Sequence, residues 1–145
     1  MTEQDIEQVG LIDRASFTLP WPDRSFKYEV SENENSIPLV AVTENGEVAG
    51  FIVVWVIVDE AHIGSIAVAD AYRKLGIGEK IIREGLRMAR DRGCLQAYLE
   101  VRRGNLAALH LYEKLGFGVD GIRPRYYEDN HEDAVLMSLK SLEHI

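Results

Sequence analysis

Three groups of residues in this 145-residue chain are of types and spacings that could do chemistry. The first is Arg73-Lys74-Leu75-Gly76-Ile77-Gly78-Glu79, which follows the apolar run Ile63-Gly64-Ser65-Ile66-Ala67-Val68. Glycines that open a helix leave backbone N–H groups bare, and both the unpaired donors and the helix dipole favour an anion there. Arg73 and Lys74 add positive charge, so a phosphate or diphosphate is the natural guest. The competing reading of Arg73-x-x-Gly76-x-Gly78 is a tight strand–helix turn with no ligand. The second group is Glu100, a lone carboxylate in Ala97-Tyr98-Leu99-Glu100-Val101. It can serve as a general base, or it can be a solvated strand end paired with Arg102 or Arg103. The third is Tyr112, which shares a helical face with Ala108 and Leu115 and, taken by itself, reads as core.

The remaining reactive types carry less. His110 falls on a helix flank, and His62 lies early in its strand, away from the expected opening of the sheet. Cys94 leads an apolar segment and reads as a buried packing residue. One cysteine and four scattered histidines give no metal-ligand spacing, so no metal is expected.

These residues need elements to hold them. Asp5 to Ser16 has Ile6, Val9, Ile12 and Ala15 at helical spacing. Pro20-Trp21-Pro22 forces a loop, after which Asp23 or Ser25 can cap a short helix through Val30. Ile37 to Thr43 and Val48 to Val58 read as strands joined by Asn45-Gly46, a hairpin signal. Ala61 to Val68 is a further strand. Gly76 to Arg90 is a helix with Ile77, Ile81, Gly85 and Ala89 on one face, ended by Gly93. Leu95 to Val101 is a strand and Asn105 to Leu115 a helix, followed by strands Phe117 to Ile122 and Ala134 to Leu139. The order α-α-β-β-β-α-β-α-β-β predicts one α/β domain over residues 1–145. Its sheet is mixed with helices on both faces, and a crevice opens where the strand order does.

Composition narrows the partners. A net charge of −8 argues against general nucleic-acid binding and suits a cationic amine, although acidity also serves solubility. The longest apolar run, Val48 to Val58, contains Gly50 and reads as a buried strand, so no membrane partner is expected. Thr2-Glu3-Gln4-Asp5 is no signal peptide, and a single cysteine fits a cytoplasmic setting.

With that order in place, the motifs resemble the GNAT superfamily of acetyl-CoA-dependent N-acetyltransferases, in which the central sheet is mixed and mostly antiparallel. They are most similar to its ribosomal-protein-alanine N-acetyltransferase (RimI) branch. Tyr72 to Gly78 resembles the superfamily's pyrophosphate loop, with Arg73 where some relatives carry glutamine. Leu99-Glu100-Val101-Arg102, Asn105 and Leu111-Tyr112-Glu113-Lys114-Leu115-Gly116-Phe117 resemble its second half. Pro20-Trp21-Pro22-x-x-x-Phe26 resembles the branch's substrate loop, and Arg123 through Tyr126-Tyr127, then Glu132-Asp133-Ala134, resembles its C-terminal segment. The resemblance implies that backbone groups of Ile66, Ala67 and Val68 pair with the pantetheine arm of acetyl-CoA, and that Lys74 to Glu79 wrap its diphosphate beside Arg73. It implies that Asn105 hydrogen-bonds the cofactor, that Glu100 is the general base, and that Tyr112 touches the cofactor as general acid. It also implies that Trp21, Tyr126 and Tyr127 bind the substrate.

The substrate this implies is a protein or peptide N-terminus, a ribosomal protein among the candidates. A free α-amine has a pKa near 7.7–8.0 against about 10.4 for lysine. Neutralising it at pH 7.4 costs under about 1 kcal/mol, and a lysine about 4. One carboxylate therefore suffices for an α-amine. A same-fold enzyme acting on a small amine or a protein lysine, and a non-catalytic CoA-binding subunit, stay open at this point, as does the oligomeric state.

Overall fold

Gly46 takes the left-handed backbone that a tight hairpin requires, with φ +84°, and its N–H donates to Thr43 O at 3.0 Å. That turn joins β1 (Ser36–Val42) to β2 (Val48–Ile57) in antiparallel register. The computed structural model describes all residues, Met1–Ile145. β2 ends one residue short of the expected Val58, because Val58 itself turns the chain with φ +57° into β3 (Glu60–Val68). β4 (Gln96–Arg102), β5 (Gly118–Arg123) and β6 (Ala134–Leu139) complete one sheet of order β1-β2-β3-β4-β6-β5. Only β3 and β4 run parallel; every other pair is antiparallel. Phe117 does not join β5. It is 4% exposed and its N–H closes the preceding helix on Tyr112 O.

α1 (Ile6–Ser16) and α2 (Asp23–Ser31) cover one face of β1–β3, where Val9, Ile12, Phe26, Phe51 and Val53 form a small core. α3 (Ile77–Asp91) and α4 (Leu106–Lys114) cover the other face in a larger core with Ile52, Val54, Leu99 and Met137. The face of α3 read from the spacing is the one it buries, at Ile81, Gly85 and Ala89, and Gly93 ends the turn with φ +99°. Cys94 is sealed in the same core at 1% exposure, and burial pushes its thiol pKa up. The cap of α2 differs from expectation: Pro22 occupies it, and neither Asp23 nor Ser25 supplies a side-chain cap. The Asp23 carboxylate instead pairs with Arg14 at 3.2 Å.

One row of residues crosses five strands: Trp55, His62, Tyr98, Ser138 and Gly118 are successive register partners. Gly64 is the extra residue of a bulge in β3, where the pairing shifts between Val53 and Val54. The Trp55 indole lies over it, so a Cβ at position 64 would come within 2.7 to 2.9 Å of three ring atoms. Trp21 stacks on that indole at 5.9 Å and 7°. The loop between α1 and α2 is thereby docked on the sheet through the chain's only two tryptophans.

Gly64→Ala must push the Trp55 ring aside. Overpacking of that kind costs about 1–3 kcal/mol. Urea unfolding should register the loss, and the near-UV circular dichroism of the stacked indoles should change with it.

Candidate active site

β3 and β4 pair over three residues only: Glu60 with Gln96, Ala61 with Ala97, and His62 with Tyr98. Beyond His62 the two strands part, and Ile63 and residues 65–68 keep a partner on the β2 side alone. The β4-facing edge of Ile66, Ala67 and Val68 is open there, and an extended ligand can add to such an edge like a strand. His62 is thus the last paired residue before the opening; the expectation that it lay away from the splay is corrected. Its ring stacks on Tyr98 at 5.3 Å and meets Glu60 at 2.9 Å.

The loop leading to α3 stands at the end of that open edge. A Cβ on Gly78 would sit 3.7 Å from the Val68 side chain and 3.4 Å from Leu111, so the start of α3 lies between β3 and α4. Lys74 and Gly76 both adopt left-handed backbone, with φ +64° and +80°. Gly76 is the N-cap and provides no side-chain cap, leaving the first N–H groups of α3, at Ile77, Gly78 and Glu79, bare for an anion. These residues fit a diphosphate. Two expected contributors have other duties. Arg73 donates to Val68 O at 3.1 Å and pairs with Asp70 at 2.8 Å, so its guanidinium staples the turn. The Glu79 carboxylate ties α3 to α4 through Lys114 at 3.3 Å and holds Arg83 at 3.3 Å, and these partners lower its pKa. Only its N–H remains for an anion. Lys74 has no ion pair, and Leu75 is exposed.

Glu100 lies two residues past Tyr98 on the same face of β4, by strand alternation. Its partner is not Arg102 or Arg103 but Arg123, at 3.2 Å. The carboxylate also raises the pKa of the neighbouring Tyr126 phenol. Arg123 further lies over the Tyr126 ring at 5.4 Å. Arg102 is committed elsewhere: it grips both oxygens of Asp129 at 3.0 Å, reaches Glu132 at 3.4 Å, and covers the Tyr127 ring at 3.9 Å. Arg103 pairs with Asp133 at 3.0 Å.

Tyr112 is 6% exposed, packed 5.9 Å from Phe117. Burial, with Tyr127 nearby, pushes its phenol up to about 12. Asn105 caps α4, its Oδ1 accepting from Ala108 N at 3.2 Å, which leaves its amide NH₂ for a ligand. Trp21 is held from below by Asp13, whose Oδ2 accepts the Trp21 N–H at 2.7 Å. Phe26 is fully buried beside Phe51 and belongs to the core.

The segment after β5 is tied into the fold by side-chain bonds. Thr18, in the loop before Trp21, donates a hydrogen bond to Asp129, and Asp129 is held by Arg102. Glu132 accepts from Gly104 N at 2.7 Å. The Arg102 guanidinium thus holds Tyr127 and, through Asp129, reaches across to the α1–α2 loop. None of Arg102, Arg123, Thr18, Asp129 or Trp55 was singled out from the sequence as a site residue. The basic–acidic complement between residues 102–103 and 129–133 was the available signal.

Known proteins resemble this arrangement closely. The profile of the Acetyltransferase (GNAT) family matches residues 6–117. A Bacillus subtilis (strain 168) protein, provisionally named a [ribosomal protein bS18]-alanine N-acetyltransferase, is 38% identical over 137 residues, 94% of this chain and 90% of that protein. The [ribosomal protein bS18]-alanine N-acetyltransferase of Escherichia coli (strain K12) is 35% identical over 137 residues, covering 93% and 90%. The crystal structure of the ribosomal-protein-S18-alanine N-acetyltransferase from Escherichia coli superposes with TM-score 0.85 at 33% identity, over 96% of this chain and 89% of that one.

Asp129→Ala should free both loops at once. Hydrogen–deuterium exchange is expected to rise over residues 17–22 and 126–133 while the sheet keeps its protection. Asp129, Glu132 and Asp133 all have lowered pKa values, Asp129 chiefly through Thr18 and Arg102, Glu132 through Gly104 N–H, and Asp133 through Arg125 N–H. Groups of that sign stabilise the fold above their unfolded pKa, near 4, and lose the effect as pH falls through the lower folded values. Loop protection should therefore persist from pH 7 to about 4 and disappear below it.

Proposed function

The chain belongs to the acetyltransferase (GNAT) family, and from that premise we propose that it transfers the acetyl group of acetyl-CoA to the N-terminal α-amine of a protein. A ribosomal protein is the favoured class of substrate and the cytoplasm the favoured setting. Two relatives support the α-amine: the Escherichia coli enzyme is named for an alanine of ribosomal protein bS18, and a Sulfurisphaera tokodaii relative, 33% identical over 147 residues, is named an N-alpha-acetyltransferase. The observation that carries the reading is the parted β3–β4 edge, which has bare α3 amides at one end and Glu100 on the opposite strand.

When bound, acetyl-CoA supplies an acyl group activated as a thioester. The amides of Ile77, Gly78 and Glu79, with Lys74, hold the diphosphate, and the open edge of Ile66 to Val68 aligns the pantetheine. Val68 N–H is the donor for the acyl oxygen; a preorganised donor of this kind is worth about 2.7–4 kcal/mol. The amide NH₂ of Asn105 steadies the same arm.

On the other side of the opening, Tyr126 and Tyr127 face Glu100 from one loop while Trp21 stands on the opposite one. An extended N-terminus enters between them. Most of its amine is within about 1 kcal/mol of the neutral form at physiological pH. Glu100 accepts the proton that the nitrogen sheds as its bond to the acyl carbon forms, directly or through water, with Arg123 holding the carboxylate in place. No acyl-enzyme is required.

Tyr112 is the donor toward sulfur. A phenol raised to about 12 is a poor acid: protonating a thiolate whose thiol has a pKa near 8.5 is roughly 5 kcal/mol uphill at about 1.36 kcal/mol per pH unit. Its buried O–H therefore serves mainly as a hydrogen-bond donor to the departing sulfur, and full proton transfer is secondary.

Mass spectrometry of peptides with free N-termini, incubated with the enzyme and acetyl-CoA, should show one added acetyl group on the α-amine; labelling confined to lysine side chains or polyamines would refute the reading. Glu100→Gln is expected to lower kcat about 10²–10⁴-fold with the acetyl-CoA Kd little changed. Tyr112→Phe should cost less, about tenfold to a hundredfold in kcat.

A further inference from the structure

Glu29, on α2, is a carboxylate buried to 7% exposure that forms no ion pair. Its Oε2 accepts from Trp55 Nε1–H at 3.0 Å and from Asn33 Nδ2–H at 2.9 Å. Its Oε1 has no protein partner, and it is not among the polar atoms sealed from solvent without one. That oxygen therefore opens outward. Glu29 lines two depressions at this surface, and the one of about 580 Å³ is walled by Trp21, Trp55 and Tyr28, with Ser25 beside them and Arg24 exposed at the rim. A glutamine would satisfy the indole N–H equally well without the cost of burying a charge. A carboxylate in this place therefore has a further use.

Aromatic faces beside an unpaired carboxylate favour a cation that also donates hydrogen bonds. We propose that this pocket is a subsite for a lysine or arginine side chain of the substrate, downstream of the acetylated residue. The assignment rests on the reading that the substrate is an extended N-terminus. Trp55 pairs with His62 and His62 with Tyr98, so the pocket stands two strands from β4, about 10 Å sideways at about 4.8 Å per strand. Glu100 lies two residues farther along, about 7 Å. An extended peptide advancing about 3.4 Å per residue covers that diagonal, roughly 12 Å, in three to four steps. With the α-amine at Glu100, the side chain of residue 4 or 5 arrives at Glu29. Arg24 is unpaired at the solvent-exposed rim and opposes the cation weakly; it sets an upper limit on the preference rather than abolishing it.

The test uses seven-residue peptides of alanine and serine with a free N-terminus, carrying one lysine at each position from 2 to 7 or none. KM should fall about tenfold when the lysine is at position 4 or 5, with kcat within about twofold. In Glu29→Gln, which keeps an acceptor for Trp55, the ratio of KM between the lysine-free and the lysine peptide should shrink toward one. Tyr28→Ala, at an exposed position, should reduce the same ratio, and Arg24→Ala should enlarge it. If Glu29 served only to support the fold, its variant would move both KM values together and the ratio would survive; that result, or a KM indifferent to lysine placement, overturns the proposal. Quenching of the two pocket tryptophans by N-acetylated versions of the same peptides measures binding without turnover. Lysine-dependent quenching that Glu29→Gln removes, with no peptide acetylated, would leave the pocket standing and refute the α-amine reading. Acetylated peptides with no lysine dependence in either measurement would do the reverse.

Discussion

The proposed site depends on two neighbouring strands that stay together for only three residues. Parallel strands β3 and β4 hold at Glu60, Ala61 and His62 and then separate, while each remains paired on its outer side. Backbone N–H and C=O groups left without a partner in a sheet interior are costly to bury, so an open edge between two otherwise complete half-sheets is tolerated only where something fills it. The bulge at Gly64 lies just past the parting, where it bends β3 and gives the Trp55 indole its bed. The two helices of the α3/α4 layer are joined across the gap by Lys114 and Glu79, so the strands can part without the layer opening. A slot results, with the bare amides of α3 at its mouth and the Glu100 carboxylate along its far wall.

Much of this was legible in the sequence, for identifiable reasons. The glycine loop that opens α3 was readable because glycine spacing acts locally, within one turn of the helix. The hairpin at Asn45-Gly46, the buried face of α3 and the sealed Cys94 were readable on the same ground: each depends on periodicity or on a residue's own backbone preference. The partners of Glu100 and Arg102 were not. Nearest neighbours in sequence offered Arg102 and Arg103 to Glu100, whereas β6 inserts between β4 and β5 and brings Arg123 to it instead. Arg102 meets Asp129 and Glu132 across separations of 27 and 30 residues, which no local pattern encodes. His62 was misjudged because strand position was measured from the carboxyl end of β3, while the opening depends on how little of β4 lies alongside it.

The two faces of the slot differ in how they are held. The side proposed for the cofactor is built from helix ends and strand edges that pack against the large core. The side proposed for the peptide is built from two loops linked through charge: Thr18 on Asp129, Asp129 on Arg102, and Arg102 on Tyr127. Loops secured by ion pairs can open and reclose around a flexible chain without disturbing the sheet beneath them. A buried acid adds to the asymmetry. Asp13 holds the Trp21 backbone from inside the fold, where burial raises its pKa, and it anchors one loop independently of the surface charges.

Acetyl transfer from acetyl-CoA releases a free thiol at every turnover. Cys94, the chain's one sulfhydryl, sits in the core behind α3 with its ionisation suppressed by burial. Exchange requires an accessible thiolate. The catalyst therefore cannot be trapped as a mixed disulfide with spent coenzyme, and its working life does not depend on the redox state of the by-product it generates.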